Sequence, residues 1–271
     1  MSDYLVTNTE LTETADAIRA KTGDSAAIEW ESGTGFADAV AAIPSGGGTN
    51  YFDTCTGISY LYQCDFTTGK PTVPEKIVLD LPACRIASLA FRQYIGDSRY
   101  NLGIKEVDIT FYRPVVAQNM FMRNSSIQKI TFPNGITFTS TYYGFLEDAS
   151  AVKSVIGKIG FSAPQAYNSI YAFRAPILEN IEFVENQIPF NARFDSTALT
   201  DASILSIANG LSESASAQTL TMPAAVKTRM DAMMGTVALD TTQTYHIFTQ
   251  DIGGTVTLSD FITNTKGWTL A

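Results

Sequence analysis

The sequence predicts an α+β fold: an irregular solenoid of short strands, led by a small two-helix module and closed by a mixed α/β cap. Three observations predict it. One aromatic followed by a short alternating strand recurs about every 25 residues from Phe91 to Phe183. Before it, Pro44-Ser45-Gly46-Gly47-Gly48 pairs a helix stop with a flexible joint. After Leu199 the spacing of apolar residues turns helical. The expected organisation is a helical docking module over 1–44, a Gly-rich linker over 45–50, a repeat body over 51–198 and a capping module over 199–271.

In the front module, Asn8 or Thr9 can cap a first helix, with Glu10 and Glu13 in its first turn. Leu11, Ala15 and Ile18 share one face, and Lys21 and Gly23 suit its end. Ile28 and Trp30 alternate with Glu29 and Glu31, as a short extended segment would. Thr34 can cap a second helix whose stripe is Phe36, Val40 and Ile43, and Pro44 ends it. So few large apolar side chains cannot build an independent core. Leu11, Ile18, Phe36, Val40 and Ile43 are therefore candidate docking residues, to be covered by the rest of the chain, by a copy of it or by a partner. Residues 1–48 hold eight acids and two bases, most of the chain's net charge of −9.

Residues 49–75 are rich in aromatics, and Ile58, Tyr60 and Tyr62 alternate as in a half-buried strand. The repeat follows, after an irregular first turn at Lys76-Ile77-Val78-Leu79 and Phe91. Phe91 leads to Ile104–Ile109, Phe121 to Ile127–Phe132, Phe145 to Val152–Ile156, and Phe173 to Leu178–Phe183. The strand centres Val107, Ile130, Val155 and Ile181 lie 23, 25 and 26 residues apart. One short strand per unit is expected, with Val or Ile inward and the neighbouring charges in water. No unit can bury its apolar face alone, so stacking must supply the core.

In the cap, Thr200-Asp201 opens a helix through Ser203–Ala208, stopped by Gly210. Thr219–Met222 reads as a strand. Pro223 starts a helix carrying Val226, Met230, Met233 and Met234. A short helix from Ser259 to Lys266, closed by Gly267, precedes a last strand at Trp268–Leu270.

Composition excludes several function classes. With 45% apolar and 17% charged residues, the 271-residue chain can bury a real core. The acidic balance argues against a nucleic-acid partner. No apolar run approaches the ~18 residues of a membrane span. Met1-Ser2-Asp3-Tyr4-Leu5-Val6 has no basic start and no apolar core, so the expectation is a chain made in the cytoplasm and released without ordinary secretion. Cys55, Cys64 and Cys84 are too few for a disulfide scaffold; a Cys55–Cys64 bridge is one arrangement and buried thiols the expected one.

Catalytic chemistry finds little support. Gly33-Thr34-Gly35 lacks the third glycine and the strand–helix–strand setting of a dinucleotide site. His246 is the only histidine and has no metal-site spacing, so no metal and no cofactor is expected. Asp195, Asp201, Glu179, Glu182 and Glu185 could offer a carboxylate pair, but read as solvated charges. For binding, Tyr112, Tyr142, Tyr143, Tyr167 and Tyr171 fall between repeat strands and are the candidate ligand contacts, with core filling as the competing role. Arg99, Arg113, Arg123, Arg174 and Arg193 also lie outside the strand centres, where they could orient polar ligands.

Phe121…Ile127-Gln128-Lys129-Ile130-Thr131-Phe132-Pro133 resembles the leucine-rich repeats of BspA-type bacterial surface proteins. The tail, from Leu199-Thr200-Asp201-Ala202-Ser203-Ile204 to Lys266-Gly267-Trp268-Thr269-Leu270, is similar to the closing module often attached to such repeats. Leu11–Gly23, Gly35–Val40 and Ile43-Pro44 resemble a short module at the front of phage tail and baseplate proteins. Together these imply a leucine-rich-repeat-like solenoid in a non-enzymatic virion protein of a tailed phage, docked on tail or baseplate and contributing to host attachment. The implied partners are other virion proteins, copies of the chain itself, and a host surface protein or glycan. A bacterial cell-surface adhesin and a carbohydrate-active enzyme are the alternatives.

Overall fold

A computed structural model describes residues 60–62, 75–88, 91, 103–142, 144–162, 172–213 and 218–271. The chain divides into two compact units, Met1–Thr49 and Asn50–Ala271, and all described residues belong to the second. Leu11, Ile18, Phe36, Val40, Ile43, Cys55 and Cys64 lie outside the described residues. The class is α+β, with few helices and with both parallel and antiparallel sheets.

The first strands in chain order are β1 (Tyr60–Tyr62), β2 (Lys76–Leu81), β3 (Ile86–Ser88), β4 (Glu106–Phe111), β5 (Val115–Gln118), β6 (Lys129–Thr131), β7 (Ile136–Tyr142), β8 (Ser154–Ile156) and β9 (Ile159–Phe161). They alternate between two parallel sheets, ordered β2-β4-β6-β8 and β1-β3-β5-β7-β9. The expected strand over 178–183 is reduced to isolated bridges at Asn180 and Phe183, while the units up to Phe161 carry two strands each, not the single one that the sequence pattern predicts. The reason is visible in β9, where Ile159, Gly160 and Phe161 are all buried, which erases the period-two signal.

The predicted strand centres meet in the first sheet. Ile77 pairs with Val107, Val107 with Ile130, and Ile130 with Val155, all fully buried. Ile181 follows, since the Val155 amide donates to the Asn180 carbonyl at 2.8 Å beside a parallel bridge from Ser154 to Asn180. Outward-facing neighbours form a polar row. Glu106 sits between Lys76 at 3.9 Å and Lys129 at 3.8 Å, and Asn180 donates to the Ser154 hydroxyl at 3.2 Å.

The recurring aromatics fill the interior. Phe91, Phe121, Phe145, Phe173 and Phe194 are at most 1% exposed. Phe91 stacks on Phe121 at 5.2 Å, and Phe173 on Phe194 at 4.9 Å. Phe138, Phe161 and Phe190 tie these rings to the second sheet's side of the core. Asn124 is also fully buried: its amide donates to the Phe91 carbonyl at 2.9 Å, and its side-chain oxygen accepts from the Ser126 and Ile127 amides. The Cys84 thiol is buried and donates to the Ile86 carbonyl at 3.4 Å.

Beyond β10 (Ala192–Arg193), Thr200 caps α1 (Asp201–Gly210). Gly210 is the last helical residue and no left-handed stop. A Cβ there would lie 2.7 Å from the Phe183 Cβ, so the glycine serves close packing. Then come β11 (Thr219–Thr221), α2 (Ala224–Ala232), β12 (Met234–Asp240), β13 (Tyr245–Gln250) and β14 (Val256–Thr257). The chain ends with α3 (Leu258–Asp260), a π turn (Phe261–Thr265) and β15 (Thr269–Leu270). Met234 corrects the expected helix: Met233 turns extended, and Met234 opens β12, pairing antiparallel with Thr257 of β14 before Gly235 begins the pair with β13. No helix among the described residues is long and apolar enough to cross a membrane.

Candidate functional site

Turns join the two parallel sheets along one corner, and there the described residues form an open groove of about 460 Å³. The turn after β4 is Tyr112-Arg113-Pro114. Pro114 lacks the amide needed to continue the ladder, so the chain leaves the sheet there. The turn after β6 closes when the Gly135 amide donates to the Phe132 carbonyl at 2.8 Å, with Gly135 at φ +65°. A Cβ at Gly135 would stand 2.8 Å from the Lys158 carbonyl oxygen, which itself accepts from the Ile136 amide at 2.9 Å. Each turn is thus built against the next, and the groove is the step between them.

Tyr112, Arg113, Pro114, Asn134, Thr137 and Lys158 line this groove. Tyr112 is 59% exposed, rare for so large an aromatic. Its hydroxyl donates to the Asp80 carboxylate, and this bond with the nearby negative charge holds its pKa above the usual value. Lys158 bonds Glu185 at 2.7 Å, which raises the lysine pKa. Burial pushes Glu185 upward, but Lys158 and a backbone amide outweigh it and leave the carboxyl below its ordinary range. Arg113 is exposed, and no carboxylate pairs with it among the described residues.

Of the predicted contact tyrosines, Tyr112 lies in this groove, and Tyr142 ends β7 opposite Gln118. Tyr143, Tyr167 and Tyr171, with Arg99, lie outside the described residues. Arg174 and Arg193 both bond Asp195, at 3.2 and 2.6 Å. Asp201 is held by Arg229. Asn134, Thr137 and Lys158 escaped sequence reasoning, because stacking brings them to Tyr112 across more than twenty residues of chain. Their only signal was turn chemistry, Pro133-Asn134-Gly135 and Gly157-Lys158.

A second polar cluster sits under the cap. Lys266 is 1% exposed and lies 3.3 Å from Glu213, with the Tyr245 and Phe261 rings each 5.4 Å from its ammonium. Desolvation lowers the Lys266 pKa against the pull of Glu213. Burial pushes Glu213 upward, but hydrogen bonds from the His246 amide and ring, with Lys266, bring it below its ordinary value. His246 Nδ1 stands 3.3 Å from Glu213, so the histidine helps to hold the half-buried carboxylate that faces the buried Lys266 ammonium. No group of metal-binding side chains occurs among the described residues. Comparison with family models, with curated proteins and with solved structures finds no match.

Proposed function

We propose that the chain is a structural, non-enzymatic virion protein of a tailed phage or phage-derived particle. Residues 1–44 dock it on the tail or baseplate. Residues 51–198 form a leucine-rich-repeat-like solenoid that meets the host surface, and residues 199–271 close its end. Its partners are other virion proteins and further copies of itself. One observation carries the solenoid part of this reading: Val107, Ile130 and Val155, spaced as the repeat requires, stand in parallel register and buried, with Ile77 of the irregular first turn in register ahead of them. The resemblance of the front module supplies the rest. A non-catalytic role is supported by the carboxylates, since Asp195, Asp201 and Glu185 are each committed to a cation.

Negative-stain imaging of purified particles, labelled with an antibody against residues 76–271, tests the proposal. Label at the tail tip or baseplate is the expected result. Absence of the chain from particles, with the protein retained on intact bacterial cells, would replace it with the adhesin reading.

A further inference from the structure

We propose that the corner groove beside Tyr112 binds a saccharide bearing a carboxylate, such as a uronate or a sialate. The inference rests on the reading above in that the repeat body meets a host surface, and it names what is met there. Four features converge. The Tyr112 ring offers a flat apolar face to solvent, as stacking on the C–H face of a pyranose requires. The Asp80 carboxylate near its hydroxyl favours the protonated phenol, so the ring meets a ligand uncharged. Arg113, next in the chain and without a carboxylate partner among the described residues, presents a planar fork matched to a carboxylate.

The fourth feature is the opposite wall. Asn134 places an amide there, the Thr137 hydroxyl donates to Gln187 at 3.4 Å and keeps its acceptor capacity, and Lys158 keeps donors beyond the one that Glu185 takes. No carboxylate lines the groove, although the chain carries a net charge of −9. The two carboxylates that stand behind the walls are engaged, Asp80 by Tyr112 and Glu185 by Lys158, which leaves Arg113 as the cation open to an anionic ligand. The groove volume, about 460 Å³, falls in the ~300–1,000 Å³ range of small-molecule sites. A bare anion would leave the tyrosine unused, and a neutral sugar would leave the arginine unused. A carboxylated sugar uses both.

The test is calorimetric titration of the full chain with oligogalacturonate and with sialyllactose, using lactose, cellohexaose and inorganic phosphate as controls. Binding of at least one carboxylated sugar, tenfold or more tighter than the neutral sugars and phosphate, is expected. Tyr112→Ala should weaken that binding at least tenfold. Arg113→Gln should abolish the preference for the charged sugar while a weak neutral binding persists. Both positions are exposed, and unchanged circular dichroism and melting will show that the variants are folded. Equal binding of phosphate, equal binding of neutral sugars, no binding at millimolar concentration, or full affinity in both variants overturns the proposal. Each of those results leaves particle labelling unaffected, so this inference can fail while the virion reading stands.

Discussion

The hydroxyl of Ser203 accepts a hydrogen bond from the amide of Ile181 at 3.0 Å, and a helix side chain thereby takes the place of a strand carbonyl. One turn further along α1, Ser206 does the same for the Phe183 amide at 2.8 Å. Asn209 extends the pattern by bonding both the amide and the carbonyl of Phe248 in β13. A parallel stack must end somewhere, and an open edge invites pairing with another chain. Here the i, i+3 and i+6 positions of one helix satisfy the last strand-like segment on one side and β13 on the other. The helix is a plug shaped by hydrogen bonds as much as by its apolar face.

Ser203→Ala should therefore cost about 1–3 kcal/mol, because the buried Ile181 amide loses its acceptor and finds no water. Ser203 also accepts from the Thr200 hydroxyl at 3.0 Å, so its loss loosens the helix cap as well. Ser206, half-buried, should cost less. Urea unfolding of the two variants gives the comparison, and equal stability of Ser203→Ala and the parent chain would contradict the plug.

Inside the stack, Asn124→Ala should destabilise the chain by about 2–3 kcal/mol. The side chain is 0% exposed and satisfies three backbone groups, the Phe91 carbonyl among them. The succeeding unit has Ala149 near the equivalent place, also buried, so the position tolerates a small residue only where no carbonyl depends on it. Thermal melting read at two wavelengths will show whether the loss is global or confined to the first units.

Some of this fold was legible in the sequence and some was hidden by the packing itself. Val107, Ile130 and Val155 announced their sheet because each strand has a wet face, where Lys129, Glu106 and Ser154 alternate with the apolar residues. The second sheet did not. In β5, Val115-Val116-Ala117 is apolar on both faces, and Gly160 in β9 is buried beneath Gln187, so alternation is lost. Met234 read as helical because it follows Met230 and Met233 at helical spacing, whereas the chain turns extended at Met233. The groove was legible at one residue, Tyr112. Its other wall comes from turns: Asn134-Gly135 signals a left-handed turn, but the contact of Gly135 with the Lys158 carbonyl, which sets one turn against the next, is encoded by no residue pattern.

Tyr112 should titrate late. Asp80 stabilises its protonated form, so tyrosinate should appear above the usual ~10 of a free phenol. Asp80→Asn should bring the transition back toward that value. Carbon-13 labelling of the tyrosine ring, with Tyr112→Phe for assignment, resolves this signal from the other tyrosines. A Tyr112 transition unmoved by Asp80→Asn would mean that Asp80 does not act on the phenol.

Glu213 and Lys266 make the sharpest electrostatic prediction. Glu213→Gln should cost on the order of 3 kcal/mol near neutral pH, because it removes the negative charge beside a buried ammonium and leaves a neutral amide oxygen and two aromatic rings around it. Lys266→Met should be close to neutral or mildly stabilising, since a flexible apolar side chain can fill the same space against Tyr245 and Phe261. The double variant should recover most of the loss seen in Glu213→Gln alone, which separates a stranded charge from a simple packing defect. The pH dependence follows from the lowered Glu213 value. A carboxyl whose folded pKa lies below its unfolded one contributes stability that is complete above about pH 5 and lost as pH falls through the folded value. The gap between the parent chain and Glu213→Gln should thus narrow as acid is added, while Lys266→Met should blunt the same acid sensitivity. Urea midpoints measured from pH 3 to pH 7 on all four proteins will decide it; a gap that stays constant across that window would show that Glu213 acts through its shape and not its charge.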